Sequence, residues 1–387
     1  MVNHGKILQV LPELGSGGVE RGTVEIARAL QQSGSRALVA SAGGPLVEDL
    51  KRCGAVHYQL PLASKNPLVM WDNIHRLKEI LRREKVDIIH ARSRAPAWSA
   101  YYAAKALGVP FITTFHGVYN GYNSSLKYRY NSVMVKGERV IAVSNYIREH
   151  IVNIYKVPPE KIRVIHRGAD VEYFHPDKVN GMRTMELCKE WHAPDGLPII
   201  LMPARLTRWK GQHILLEALQ NLSHRNFFCV LLGEPGKHPT YVRDLERMVE
   251  QYKLQGHVRM AGTCKDMRDA YNAATVVVSP AIEPEAFGRV PVEAQAMGKP
   301  VIATAHGGAM ETVVTGETGT GWLVPPGDAA ALSRAIEQAL HLTADDKVAL
   351  AFNAREHILR HFSTHTMCEK VLNVYSEVMQ ERRLIPR

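Results

Sequence analysis

The sequence has no run approaching the ~20 uninterrupted apolar residues that a helix needs to span a bilayer, so a transmembrane chain is not expected. Met1–Pro12 carries one lysine and runs straight into a strand-like stretch, which does not read as a secretory signal. Cysteine is scarce. Cys53, Cys188, Cys229, Cys264 and Cys368 are odd in number, far apart and without a CxxC pair. That argues against a disulfide framework or a thiolate zinc site and favours a reducing, cytoplasmic setting. The chain lacks both GxGxxG and GxxxxGK[ST], so a dehydrogenase or P-loop reading is poor. It also lacks a DxD triplet, short repeats, low-complexity tracts and an aromatic-studded RNA motif, and no nucleic-acid partner is expected.

What is present describes a globular protein. Of 387 residues, 45% are apolar and 22% charged, which excludes general disorder. At roughly 100–200 residues per domain the length suggests two or three domains. The net charge of +10 is uneven. Residues 1–185 hold 26 Lys+Arg against 15 Asp+Glu, and residues 186–387 hold 22 against 23. A basic first half suits an anionic membrane surface or an acidic substrate, or is simply a solvated surface.

Strand-like runs alternate with amphipathic stretches. Lys6–Val10, Ala37–Ala40, Val86–His90, Pro110–Thr114, Arg139–Val143 and Ile162–Ile165 read as strands, and Val19–Leu30, Asn73–Arg83, Pro96–Leu107 and Asn145–Ile154 as helices. Between Phe174 and Pro198 the pattern breaks at Pro176, Pro194, Gly196 and Pro198, which places a domain boundary near 177–196. It restarts with strands at Ile199–Met202, Phe227–Leu232, Thr275–Ser279 and Pro300–Thr304, and ends in a helix over Thr366–Arg383. Short connections between alternating elements imply parallel sheets covered by helices. Two doubly wound α/β domains are expected, with ligands at the carboxyl ends of strands.

Four features at such ends carry chemistry. Gly17 and Gly18 follow the first strand and open a helix, where free N–H groups suit an anion. Arg205 and Lys210 share the loop after Ile199–Met202, offering a fork and a point charge to a diphosphate. Glu285 and Glu293 lie eight apart, with Phe287, Gly288, Arg289 and Val290 between them at a helix start. Paired carboxylates also suggest a glycosidase couple, but a phosphate-ready helix end between them fits that poorly. His116 closes the strand Pro110–Thr114 beside Gly117.

Taken in order, Gly17-Gly18-Val-Glu-Arg, Phe115-His116-Gly117, Arg205…Lys210-Gly211 and Glu285-Ala-Phe-Gly-Arg-Val-Pro-Val-Glu293 resemble the family-4 retaining glycosyltransferases over nearly the whole chain. The resemblance implies a GT-B fold: residues 1–180 as an acceptor domain, 181–365 as a nucleotide-sugar domain, and a helix from 366 to 387 returning to the first. It implies that Arg205 and Lys210 hold the donor diphosphate and that Glu285 binds the donor sugar. Glu293 would bind the ribose, and backbone at Phe287–Val290 would contact sugar and phosphate. Gly17 and Gly18 would lie near the phosphate and His116 near the reacting sugar, with base contacts near Met260–Thr263. The catalytic set would be His116, Glu285, Arg205 and Lys210. With no DxD, protein cations are expected to replace Mg²⁺, so no metal and no cofactor beyond the sugar nucleotide is expected. The implied activity is transfer of a hexose to a glycan or glycolipid acceptor in lipopolysaccharide or exopolysaccharide synthesis. An epimerase or a non-catalytic nucleotide-sugar binder is the alternative.

Two departures stand out: Arg167-Gly168-Ala169-Asp170 where the family has Asn-Gly-Val-Asp, and Ala286 where it has Gly. Finally, Tyr122–Arg139 interleaves Lys127, Arg129, Lys136 and Arg139 with Leu126, Val133 and Met134, as an interfacial helix would on an anionic membrane. A peripheral cytoplasmic enzyme is the expectation.

Overall fold

The computed structural model describes residues 5–15, 17–119, 124–236 and 239–384. The chain forms two compact units. One comprises Met1–Arg167 with His365–Arg387, and the other Gly168–Thr364.

The first unit carries a seven-stranded parallel sheet: β1 (Lys6–Val10), β2 (Arg36–Ser41), β3 (Val56–Gln59), β4 (Ile88–Ala91), β5 (Phe111–Phe115), β6 (Arg139–Ala142) and β7 (Ile162–Val164), ordered β3-β2-β1-β4-β5-β6-β7. The second holds β8 (Ile199–Pro203), β9 (Phe228–Leu232), β10 (Val258–Met260), β11 (Val276–Ser279), β12 (Val301–Thr304) and β13 (Gly321–Val324), ordered β10-β9-β8-β11-β12-β13. Strand order reverses between β1 and β4 in one sheet and between β8 and β11 in the other. Loops diverge at such points and leave a crevice at the carboxyl ends.

Central strands such as β9 are buried at every residue, because helices cover both faces. The strands absent from the sequence reading, β3, β10 and β13, are all at sheet edges. β3 and β10 are largely half-exposed and show no apolar run, while β13 is apolar but only four residues long and follows a glycine-rich loop.

Helix limits follow local chemistry. The helix expected over Asn73–Arg83 starts earlier, at Pro67, where Asn66 caps the Leu68 N–H at 2.9 Å and proline takes the first position. The helix Asn145–Tyr155 begins on Ser144, whose hydroxyl accepts from the Ile147 N–H at 3.1 Å.

The last helix, Thr364–Leu384, packs on the first sheet. Met367, Cys368, Val371, Val374, Tyr375 and Val378 form a stripe at helical spacing against Ile7, Ile88, Ile112 and Ile141. Tyr375 Oη lies 2.7 Å from His90 Nδ1, and Glu377 receives Arg139 Nε at 2.9 Å and Arg163 Nε at 3.1 Å.

The units divide after Arg167, upstream of the expected 180. Ala169 bridges Ser363 in parallel, its N–H donating to Phe362 O at 2.8 Å while Thr364 N–H returns to Ala169 O at 2.9 Å. A Cβ on Gly168 would sit 2.4 Å from Thr364 N, so this close pairing of backbones needs glycine. The family's glycine is kept, and Ala169 in place of valine is buried.

The expected interfacial helix is corrected. Tyr122 lies outside the described residues. Ser125–Asn131 is a short helix followed by a 3₁₀ turn over Ser132–Val135, and Val133 and Met134 belong to the core. Of the aliphatics only Leu126, 80% exposed, faces out. Lys136 Nζ lies 5.5 Å from the Tyr101 ring centre and Arg139 pairs with Glu377 and Glu381, so neither is a spare surface cation. No described helix is long and apolar enough to cross a membrane.

Candidate functional site

In the second unit the strand ends β8, β11 and β12 hold the predicted donor residues. After β8 the chain stays paired with the loop beyond β9: Leu206 N–H donates to Glu234 O at 2.9 Å and Gly236 N–H to Leu206 O at 3.2 Å. This fixes Arg205 between two bonded neighbours with its side chain exposed and without an ion pair among the described residues. Arg208–Lys210 then forms a 3₁₀ turn that ends on Gly211 at φ +82°. A Cβ there would lie 2.0 Å from Pro280 O, so only glycine lets this turn rest on the end of β11. Lys210 is thereby set against the loop after β11. Its Nζ lies 2.7 Å from Glu285 Oε1, with both side chains largely covered, and 4.3 Å from the Trp209 ring centre.

The family resemblance assigns Lys210 to phosphate and Glu285 to sugar, and the fold also pairs them with each other. Without a ligand, each satisfies the other's charge. A sugar diphosphate offers both partners at once: phosphate oxygens for the ammonium and hydroxyls for the carboxylate.

Glu285 is held by a segment the sequence reading passed over, His306-Gly307-Gly308 after β12. Gly308 N–H donates to Glu285 O at 2.9 Å, and a Cβ on Gly308 would meet Phe287 Cα at 2.4 Å. Gly307 adopts φ +58° against Glu285 O. Two consecutive glycines after a strand were the available signal. Both ring nitrogens of His306 are buried without a partner among the described residues. Phe287 is buried, and Gly288, at φ +80°, caps the helix Arg289–Ala296 without any side-chain cap. Its open amino end suits an anion.

Glu293 sits one turn into that helix, nearly buried. Its Oε2 accepts from Tyr271 Oη at 2.9 Å and its Oε1 pairs with Arg289 Nη2 at 2.5 Å. Burial, with the carboxylate second, pushes the Tyr271 phenol pKa far up, so it stays a donor. Each carboxylate oxygen keeps a further lone pair for a ligand hydroxyl. The Arg289 side chain, beyond the backbone contact expected of it, positions Glu293.

In the first unit, Gly17 caps the helix Gly18–Gln32 with φ −72° and ψ 171°. The Glu20 carboxylate folds back so closely that a Cβ on Gly17 would lie 2.4 Å from its Oε2. A carboxylate thus already sits at this helix start, where a phosphate was expected.

His116 follows β5. Both its ring nitrogens are buried and have no partner among the described residues. Burial first, then the charges of Arg92 and Arg167, drive its pKa well below the usual histidine range. It is therefore a neutral imidazole, offering one N–H and one lone pair rather than a cation. His90, one strand over, is also buried but satisfied, with Nε2 2.7 Å from Thr114 Oγ1.

Two parallel, doubly wound sheets, a terminal helix returning to the first, and a cation–carboxylate pair at the strand ends of the second describe the GT-B glycosyltransferase class. Residues 16–173 match the model of Glycosyltransferase Family 4, and residues 185–357 that of Glycosyl transferases group 1. The chain belongs to the family-4 glycosyltransferases.

A solved glycosyltransferase from Rickettsia africae is 42% identical, with a TM-score of 0.89 over 97% of this chain and 99% of that one. Anabaena Alr3699/HepE, solved with UDP and glucose, has the same fold at 23% identity, TM-score 0.82, covering 96% of this chain and all of that one. A D-inositol 3-phosphate glycosyltransferase of Xylanimonas cellulosilytica is 30% identical over 76% of this chain and 73% of its own. A putative colanic acid biosynthesis glycosyltransferase, WcaL, of Salmonella typhimurium is 26% identical over 73% and 69%.

Proposed function

We propose that this glycosyltransferase moves a hexose from a nucleoside-diphosphate sugar to a glycan or glycolipid acceptor of a surface polysaccharide, with retention of anomeric configuration and without a metal ion. The observation that carries the reading is the Lys210–Glu285 pair at 2.7 Å. It sets a phosphate ligand and a sugar-hydroxyl acceptor side by side at one strand end. Arg205 supplies a second cation from the same loop, and the uncapped helix at Gly288 adds its positive end. Departure of the nucleoside diphosphate puts negative charge on the β-phosphate. Groups fixed in place before the bond breaks stabilise that charge most effectively. Glu293 takes the ribose hydroxyls, and neutral His116 hydrogen-bonds the reacting sugar. The leaving phosphate itself takes the acceptor proton.

UDP is the first donor nucleotide to try, since Anabaena HepE was solved with UDP and glucose. WcaL's name points to an exopolysaccharide acceptor. Peripheral membrane contact rests on the exposed Leu126 beside Lys127 and Arg129, in a unit of strongly positive charge. The test is a panel of nucleotide sugars read by thermal shift, followed by turnover with EDTA present and by NMR of the product anomer. UDP- or GDP-sugar stabilisation with EDTA-resistant, retaining transfer is expected. Turnover abolished by EDTA and restored by Mg²⁺ overturns the metal-free mechanism, and an inverted product overturns retention. Conversion of the sugar nucleotide with no acceptor present points to an epimerase instead.

A further inference from the structure

A pocket of about 440 Å³ lies in the second unit, within the roughly 300–1,000 Å³ typical of small-molecule sites. It sits at β13, the last strand of its sheet, between the loop leading into that strand and the helix Ala344–His361. The loop enters β13 at its amino end. The strands of this sheet are parallel, so Lys210 and Glu285, which follow β8 and β11, belong to the opposite end.

The loop is held by its own bonds. Val314 N–H donates to Thr320 Oγ1 at 3.0 Å and Gly319 N–H to Gly316 O at 2.9 Å, with Gly316 at φ +105°. This turn presents the exposed Glu317 to the pocket. Across from it the helix begins on Thr343, whose hydroxyl donates to Asp346 Oδ2 at 2.7 Å. That bond fixes the Asp346 carboxylate and leaves its other oxygen for a ligand. Leu350 and Asn353, four and seven residues on, share its helix face. Neither Glu317 nor Asn353 has a side-chain partner among the described residues. Trp322 of β13 is half-buried, packs against the core and lines the pocket from the sheet side.

The lining differs in chemistry from the donor site. It holds two carboxylates, an amide, an indole and the aliphatic Leu342 and Leu350, and no lysine or arginine. Two carboxylates without a cation repel a phosphate or a nucleotide. They accept hydrogen bonds from hydroxyl groups, while an amide both donates and accepts. The indole and the leucines cover C–H surface. Among the described residues no group of three or more His, Cys, Asp or Glu is placed to hold a metal ion. Hydroxyls at the rim and C–H on the faces describe a neutral sugar.

We propose that this pocket is a second, non-catalytic sugar site that binds a neutral glycan unit away from the transfer centre. The sugar class follows from the lining alone. That the sugar belongs to the glycan being built rests on the transferase activity proposed above.

The chain has five tryptophans, so its ¹H–¹⁵N spectrum carries five indole signals. Trp322 is identified by the signal lost in Trp322→Phe, and Trp209, which lies against Lys210, by the one lost in Trp209→Phe. The full chain is titrated with UDP, and then with glucose, galactose, mannose and N-acetylglucosamine in turn. UDP should move Trp209 and leave Trp322 still. At least one sugar should move Trp322 to saturation with UDP already bound. Glu317→Ala should need at least about tenfold more of that sugar and Asn353→Ala about threefold more, with the response of Trp209 to UDP unchanged in both. A Trp322 signal that stays still with every sugar up to its solubility limit overturns the proposal. So does an equal response in wild type and both variants. Movement with trilysine and with none of the sugars overturns it in favour of a cationic ligand. If UDP leaves Trp209 unmoved, the donor reading fails, while the Trp322 titration still judges this pocket.

Discussion

Replacing Lys210 by alanine tests the site most directly. The ammonium is largely covered and 2.7 Å from Glu285 Oε1, so the change removes a cation and leaves a carboxylate unpaired. Loss of one charge-assisted contact costs about 1.5–3 kcal/mol, or roughly ten- to more than a hundredfold in affinity. A second effect adds to it. With Lys210 gone, Glu285 stands as a bare anion where the diphosphate must sit, and like charges repel at close range. The double variant Lys210→Ala/Glu285→Gln removes that repulsion. It should bind UDP at least about threefold better than Lys210→Ala alone, an interaction of ~0.7 kcal/mol, within the range for residues in contact. Fold stability should fall as well, because a largely covered carboxylate is left without its cation, and the double variant should recover part of that loss. Calorimetry of UDP binding on wild type, both single variants and the double variant measures the cycle. Equal affinity in a folded Lys210→Ala refutes the diphosphate role. Strictly additive variants refute the competition between Glu285 and phosphate.

Glu293→Gln should weaken UDP itself by about tenfold, as expected for a lost hydrogen bond to a charged group, whereas Glu285→Gln should mainly lower kcat; identical UDP affinity in wild type and Glu293→Gln would sink the ribose assignment. Buried His116 and His90 both have pKa values held well below the usual 6.5, so they stay neutral in the fold while the unfolded chain takes up protons. Stability should therefore be level above about pH 6.5 and fall below it, by up to ~1.4 kcal/mol per pH unit for each histidine. Urea unfolding of His116→Gln should show a shallower fall between pH 6.5 and 5, and an unchanged slope would mean that His116 is protonated in the fold. Anionic vesicles should sediment the protein at low salt and release it at high salt, and Lys127→Glu with Arg129→Glu should abolish binding; indifference to those changes leaves the basic half as solvated surface.

The strand–helix alternation was legible because it is local. Apolar runs of β length and apolar stripes of helical period record which face each segment buries, and β8, β9 and β11 show this directly. The motifs were legible too, since a parallel doubly wound sheet brings the loops after successive strands to one end, wherever they lie in sequence. The edge strands β3 and β10 left little trace because much of their surface meets water, and β13 because it is only four residues long behind a glycine-rich loop. What the tertiary structure decided was pairing. Nothing in the spacing of Lys210 and Glu285, 75 positions apart, says that the turn at Gly211 presses against Pro280 and brings the ammonium onto the carboxylate. Val133 and Met134 read as one side of a membrane helix until the chain turned them into the core. Burial and charge pairing are properties of distant segments brought together, so neither shows in local spacing.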